Sequence, residues 1–237
     1  MTTSFNVTKT QLIAGALRLI GALSQGETAT AAQTSEASEA LNLMIKAWEA
    51  DGMPLWGLTT IAIPIVAGQT TYHIAVGSEV NVAKPLKVIQ AWNRNTTGSV
   101  DTPMRIITKS EYAILGNKTS QGMPIQLYYN PQKSIGELSL FPTPDSTSQA
   151  NNQIYITYQR PYDDITLDAD TPDFPQEWLE ALKYGLAVRL APEYGLPTAD
   201  RNLLSQEAKS IKDLALSFGV EEGSYFMQVT RRNWKCH

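Results

Sequence analysis

Hydrophobic positions in this chain follow a helical period at both ends and a near-alternating period between them. From Thr8 onward, Leu12, Ala16, Leu19 or Ile20, and Leu23 fall on one helical face, the pattern of a helix that buries a stripe against a neighbour. Thr8-x-x-Gln11 is a capping box, in which hydroxyl and amide satisfy donors that the first helical turn leaves unpaired. A helix over about 8–23 follows. Past the polar segment 24–30, Ala37, Leu41, Met44, Ile45 and Trp48 repeat the period until Asp51-Gly52 and Pro54 stop it. Two consecutive amphipathic helices joined by a short connection predict an antiparallel pair.

After residue 57 the period changes. Residues 60–65 alternate in part, Ala67-Gly68-Gln69 turns the chain, and Thr71-Tyr72-His73-Ile74 completes a predicted hairpin. Further strands are expected over 86–93, 125–129, 137–141 and 154–159, separated by Gly-, Pro- and Asn-rich turns. Between them, 109–115 reads as a short helix capped by Thr108 or Ser110. Short strands at this spacing predict a small sandwich or barrel-like sheet.

The helical period returns after Pro175, which stands in the first turn where its missing amide is harmless. Trp178, Leu182, Leu186 and Leu190 form a stripe that Pro192 and Gly195 end. Thr198 is expected to cap a second helix with Leu204, Ala208, Ile211, Ala215 and Phe218, closed by Gly219. The predicted fold class is therefore α+β. A helical bundle is built from the terminal pairs, residues 1–57 and 166–222, with a small antiparallel β domain over 58–165 inserted and an extended tail over 223–237.

Charge sharpens this division. The chain has 19 Lys and Arg against 23 Asp and Glu, a net of −4, which excludes a generally cationic binder of phosphate backbones. Locally, residues 166–222 carry −6 and residues 223–237 carry +3. The acids Glu177, Glu180, Glu193, Asp200, Glu207 and Asp213 lie in the first of these blocks. In the tail, aromatic and strand-like 224–229 precedes the basic run Arg231-Arg232-Asn233-Trp234-Lys235. Trp and Arg are common interface anchors, and an extended segment can join an open sheet edge. Tyr225, Phe226, Arg231, Arg232 and Trp234 are thus candidates for intermolecular contact, the plainer alternative being a frayed end or a strand laid on its own domain.

Catalytic patterns are scarce. The sequence lacks a phosphate-cradling glycine loop, a G-x-S-x-G elbow and H-E-x-x-H. Of its two histidines, His73 reads best as a strand residue at a sheet surface, and His237 ends the chain. Asp163, Asp164, Asp168, Asp170 and Asp173 lack the central Gly and terminal Glu of a calcium loop, and read better as a solvated loop with an Asx turn. Glu36/Glu39 and Glu177/Glu180 are acid pairs of the kind that glycosidic hydrolysis uses, but exposed helix faces carry such pairs more often. No metal or cofactor is expected. The lone Cys236 forms no internal disulfide and fits a reducing cytosol, and no stretch reads as a signal peptide or membrane span. The N-x-T triplets at Asn6, Asn95 and Asn117 follow from a Thr-rich composition.

Several separated strings carry a family resemblance. They are Thr10-Gln11-Leu12-Ile13 through Gly21-Ala22-Leu23, the stretch 42–48 with Asp51-Gly52, and Ala67-Gly68-Gln69-x2-Tyr72. Gly122-Met123-Pro124, Leu140-Phe141-Pro142-x-Pro144 and Asp173-Phe174-Pro175-x-Glu177-Trp178 follow, with Leu186-Ala187 and Glu193-Tyr194-Gly195. In this order they resemble the head-to-tail adaptors of tailed bacteriophages, also called head-completion, gateway or tail tubular A proteins, over about 8–229. The resemblance implies a helical bundle with an added sheet domain and a noncatalytic role in the virion. Many copies, typically a dodecamer, bind beneath the portal after packaging and provide the surface to which the tail nozzle or hub attaches, while genomic DNA passes through without specific binding. It further implies synthesis in the host cytoplasm, residence at the head–tail junction, no membrane, and a C-terminal segment extended towards the portal, here 224–237. The six acids then become candidates for the channel lining. Competing expectations are a stopper or tail-tube ring of the same connector, and a virion-associated peptidoglycan hydrolase using Glu177 or Glu180.

Overall fold

A computed structural model describes residues 5–51, 57–167 and 169–218. Among the described residues, six α-helices and ten strands follow one another in the order the periodicities demand, with helices at both ends and strands between. The first helix, α1, runs over Lys9–Leu19 and is opened by the Thr8–Gln11 capping box. It ends four residues before the expected Leu23, because Gly21 takes a φ of 72° that turns the chain out of the helix. Leu23 is buried nonetheless. α2 covers Ala31–Asp51 and buries Ala37, Leu41, Met44 and Ile45.

At the other end of the chain, a 3-10 turn over Gln176–Trp178 leads into α5, Leu179–Leu190. α6 spans Thr198–Phe218. Thr198 lies inside this helix rather than before it, and its hydroxyl accepts from the Arg201 guanidinium. α5 is the centre of the helical region. It packs against α1, α2 and α6, whereas α1 and α2 touch each other less than each touches α5. The stripe read from sequence, Trp178, Leu182, Leu186 and Leu190, is buried, and Ala181 and Ala187 are buried as well, because α5 has neighbours on more than one side. One hydrophobic cluster joins α1, α2, α5, Leu204 of α6, and also Tyr162 and Ile165. Gly185 allows the close approach of α2: a Cβ there would lie 2.8 Å from the Met44 sulfur and 2.9 Å from the Trp48 ring.

The strands form two four-stranded sheets around a second cluster. The first orders β1 (Leu58–Pro64), β10 (Asn152–Gln159), β3 (Lys87–Asn95) and β4 (Val100–Pro103). The second orders β2 (Thr71–Ile74), β8 (Gly136–Phe141), β7 (Gln126–Pro131) and β5 (Arg105–Ile107). Ile63, Ile154 and Ile156 from one sheet meet Ile74, Leu127, Leu138 and Leu140 from the other, all nearly or fully buried. The expected hairpin does not form. β1 pairs with β10 and β2 with β8, so the turn at Ala67-Gly68-Gln69 carries the chain from one sheet to the other. Its backbone groups bond away from the hairpin, Gly68 N–H to Pro144 O and Ala67 N–H to the Gln149 side chain. The pairing is antiparallel except for β5 with β7 and the short β6 (Gln121–Gly122) with β9 (Thr143–Pro144). α3, Lys109–Ile114, is capped by Thr108 and not Ser110. α4, Ser146–Asn151, is capped by Asp145.

Candidate interaction surfaces

The segment between β10 and α5 ties the sheets to the helices through polar contacts. Arg160 forms a two-pronged ion pair with Asp173, at 2.5 and 2.9 Å, which keeps its guanidinium charged to a higher pH than usual. This closes the intervening chain into a loop whose inner residues Tyr162 and Ile165 dock in the helical core. Asn42 of α2 satisfies both backbone groups of Ile165, accepting from its N–H and donating to its carbonyl at 3.2 Å each. The buried Lys9 ammonium donates to Thr166 O at 2.9 Å, and Lys46 reaches Tyr162 O, Glu49 and Asp164. Beside this loop α2 presents a cleft of about 1060 Å³ walled by small residues such as Ala31, Ser35 and Ser38.

The acid-rich stretch is thereby assigned to local structure. Asp164 pairs with Lys46 and Asp173 with Arg160. Asp170 accepts from the N–H groups of Thr166 and Leu167, bonds that hold its carboxyl below its usual pKa, led by the one from Leu167. Asp168 lies outside the described residues. Among the described residues no three His, Cys, Asp or Glu side chains converge on a cation position, and no helix is long and apolar enough to cross a membrane.

The six acids singled out from sequence are all exposed, and the structure does not gather them on one face. Glu177 and Glu180 stand at the N-terminal end of α5, where unpaired amides favour negative charge. Glu193 follows the end of α5. On α6, Asp200 and Glu207 are seven residues apart and share a face, whereas Asp213 is rotated by about 120° from Glu207 at 100° per residue. Neither Glu177 nor Glu180 lines the cleft beside α2. His73 is exposed on the edge strand β2 with its Nδ1 3.9 Å from Glu79.

Several large apolar side chains are left exposed, among them Phe5, Leu43, Val76, Val100 and Leu167. At one end of the sheets, Ile114 of α3 is 81% exposed, near the stacked pair Tyr112 and Tyr128. On α6, Leu203, Leu214 and Phe218 are 62%, 63% and 75% exposed. Phe218, which the helical period places on the core face, is therefore exposed instead. Neither Leu203 nor Leu214 was singled out, although their eleven-residue spacing is the signal of a second stripe. The tail candidates Tyr225, Phe226, Arg231, Arg232 and Trp234 lie outside the described residues.

The family model described as SU10 adaptor protein matches residues 7–225. The chain belongs to this adaptor family. The SU10 adaptor match runs through both helical segments and the whole sheet region. It takes in Tyr225 and stops before Phe226, Arg231, Arg232 and Trp234. A search among curated proteins returned no match. As an SU10 adaptor family member the protein is a structural component of a phage virion, placed at the head–tail junction in association with other virion components.

Proposed function

We propose that this adaptor assembles as a closed ring, a dodecamer, that binds the portal after DNA packaging and gives the tail nozzle or hub its attachment surface, with DNA passing through the lumen. The observation that carries this reading is the family match over 7–225, which covers the helices and the sheets in a single span. The electrostatics agree with it. A channel through which DNA must slide should not neutralise phosphates, since each such contact releases counterions and strengthens binding, and the chain is acidic at −4.

The proposal divides the labour along the chain. A face of the helical unit, residues 1–57 and 166–222, contacts neighbouring subunits, and the sheet unit, 58–165, contacts tail components through its exposed end around Ile114. The tail, 223–237, engages the portal through Tyr225, Phe226, Arg231, Arg232 and Trp234. Glu177, Glu180 and Glu193 are candidates for the lumen. α6 adds either Asp200 with Glu207, or Asp213, because one helix does not turn both sets to the same side.

Electron microscopy of the protein mixed with its portal tests the assembly. The expected result is an additional ring of twelve-fold symmetry on the portal face that receives the tail, and a portal that stays bare overturns the reading. Truncation after Gly223 should abolish portal attachment and leave the circular dichroism spectrum unchanged. Full co-assembly of the truncated chain would refute the role given to the tail.

A further inference from the structure

The hydrophobic clusters of the helices and of the sheets share no residue, and none of α1, α2, α5 and α6 packs against a strand. Polar contacts divide in the same way. Among the described residues, no group of 58–159 is hydrogen-bonded or ion-paired to 5–51 or to 162–218. Sheets and helices are therefore joined by the linking chain rather than by a shared surface.

After β10 the change from one region to the other takes three residues. The Gln159 carbonyl accepts from Leu86 N–H at 2.9 Å and Arg160 N–H donates to Gly57 O at 3.0 Å, so the backbone at Arg160 still belongs to the first sheet. At Tyr162 the chain is already part of the helical cluster. That residue is 4% exposed, its N–H donates to Glu49 at 2.8 Å, and its carbonyl accepts from Lys46 at 3.0 Å. Pro161 stands between them. Its ring holds φ at about −65° and disfavours helical backbone at the preceding residue, which leaves few torsions to turn about.

The Arg160 side chain crosses this joint. Its guanidinium holds Asp173 by two bonds, and Asp173 is fixed to the helices from both sides. Before it, Lys9 N–H donates to Asp170 O at 2.9 Å and Asn42 holds Ile165. After it, the Phe174 ring meets Tyr162 at 4.6 Å and Trp178 at 6.1 Å. Arg160 thus has its backbone in the sheet and its side chain on the helical region. Arg160 and Asp173 keep 28% and 32% of their side-chain surface exposed, so water can take up each charge when the pair opens.

We propose that Arg160 and Pro161 form a latched pivot. With the Arg160–Asp173 pair closed, the sheets hold one bearing on the helices. With the pair open, the sheets turn as a rigid body over the narrow range that Pro161 allows, and both cores stay intact. The use of the pivot rests on the division of labour proposed above, since it re-aims the sheets towards tail components while the helices keep their place in the ring. The pivot itself is a property of the single subunit.

Distances between two nitroxides, measured by pulsed double electron resonance on the full chain carrying C236S, test it. S205C on α6 and T97C in the turn between β3 and β4 are exposed positions on either side of the joint. T97C with S134C, in the exposed turn between β7 and β8, lies within the sheets and is the control. The expected result is a single narrow S205C–T97C distribution in the parent, which broadens and shifts in R160Q and in D173N while the T97C–S134C distribution stays fixed. R160Q/P161G should be broader still. An S205C–T97C distribution that R160Q and D173N leave unchanged overturns the proposal. So does a parallel change in the control pair, which would mean a loosened sheet fold instead of a turn about the joint. An R160Q/P161G distribution no wider than that of R160Q overturns the limit given to Pro161. A portal that stays bare in the electron microscope, with the R160Q broadening present, refutes the ring and supports the pivot.

Discussion

Replacing Gly185 by alanine puts the α2–α5 contact to the test. A Cβ at this position would stand 2.8 Å from the Met44 sulfur and 2.9 and 3.2 Å from two atoms of the Trp48 ring. The thioether can rotate away. Trp48 has less freedom, because its ring meets Trp178 edge-on at 5.9 Å and carries the Lys212 ammonium 4.9 Å from its centroid. Displacing it forfeits part of an aromatic pair worth about 0.5–1.5 kcal/mol and a cation–π contact worth about 0.5–1 kcal/mol. Overpacking of this kind costs about 1–3 kcal/mol, whereas removing a helical glycine returns about 0.5–1 kcal/mol. The expected net effect of G185A is a destabilisation of about 1–2 kcal/mol, rising to about 3 kcal/mol for G185V, whose branched side chain adds two further methyl groups. Gly15 on α1 is the internal control. Its Cβ would meet only Lys183 Cδ at 3.0 Å and Cγ at 3.4 Å, part of a long flexible side chain, so G15A should stabilise by about 0.5 kcal/mol. Urea unfolding followed by tryptophan fluorescence, compared at equal m-values, measures all three. If G185A raises the midpoint as G15A does, helix propensity decides both sites and the close packing of α2 on α5 is wrong.

Two further perturbations address the loop between β10 and α5. Asn42→Ala leaves the N–H and carbonyl of Ile165 without their side-chain partner in a part-buried setting, and should lower the unfolding free energy by about 1–3 kcal/mol in the same urea assay. Asp101, Glu111, Asp145 and Asp170 are all held below their ordinary carboxyl pKa values. The leading causes are hydrogen bonds from Arg94, Thr108, Ser148 and Leu167 respectively. Because the folded state favours their ionised forms, the stability they add is complete above the ordinary values of 3.8 and 4.5 and is lost as pH falls through the lower folded-state values. Urea midpoints recorded from neutral pH to pH 2 should therefore fall below about pH 4.5, less steeply for D170N than for the parent chain. A D170N slope equal to the parent's would exclude the Asp170 carboxylate from the linkage.

The sequence alone located every long helix and the main strands, because their signals are local. Capping at Thr8 and the spacing of Leu12, Leu41, Met44, Trp178 and Leu186 each lie within a few turns of chain. The candidate surfaces were legible in part. The six acids are readable as charges, but the division of Asp200, Glu207 and Asp213 between faces of α6 appears only once the helix is laid down, and the exposure of Leu203 and Leu214 is settled only by which neighbours α6 has in space. The short edge strand Val100–Pro103 left no trace in the pattern, since all four residues are exposed and nothing alternates. Which strands would pair was also beyond local reading. The turn at Gly68 is present where the sequence puts it, yet β1 and β2 part there because β10 and β8, more than sixty residues further on, offer each of them a ladder and a shared core. Likewise α5 announces one apolar stripe and buries more than one, since the number of helices around it is set by how distant segments pack. Periodicity depends on neighbours along the chain, and pairing and exposure depend on neighbours in space, so the tertiary structure alone decided the latter.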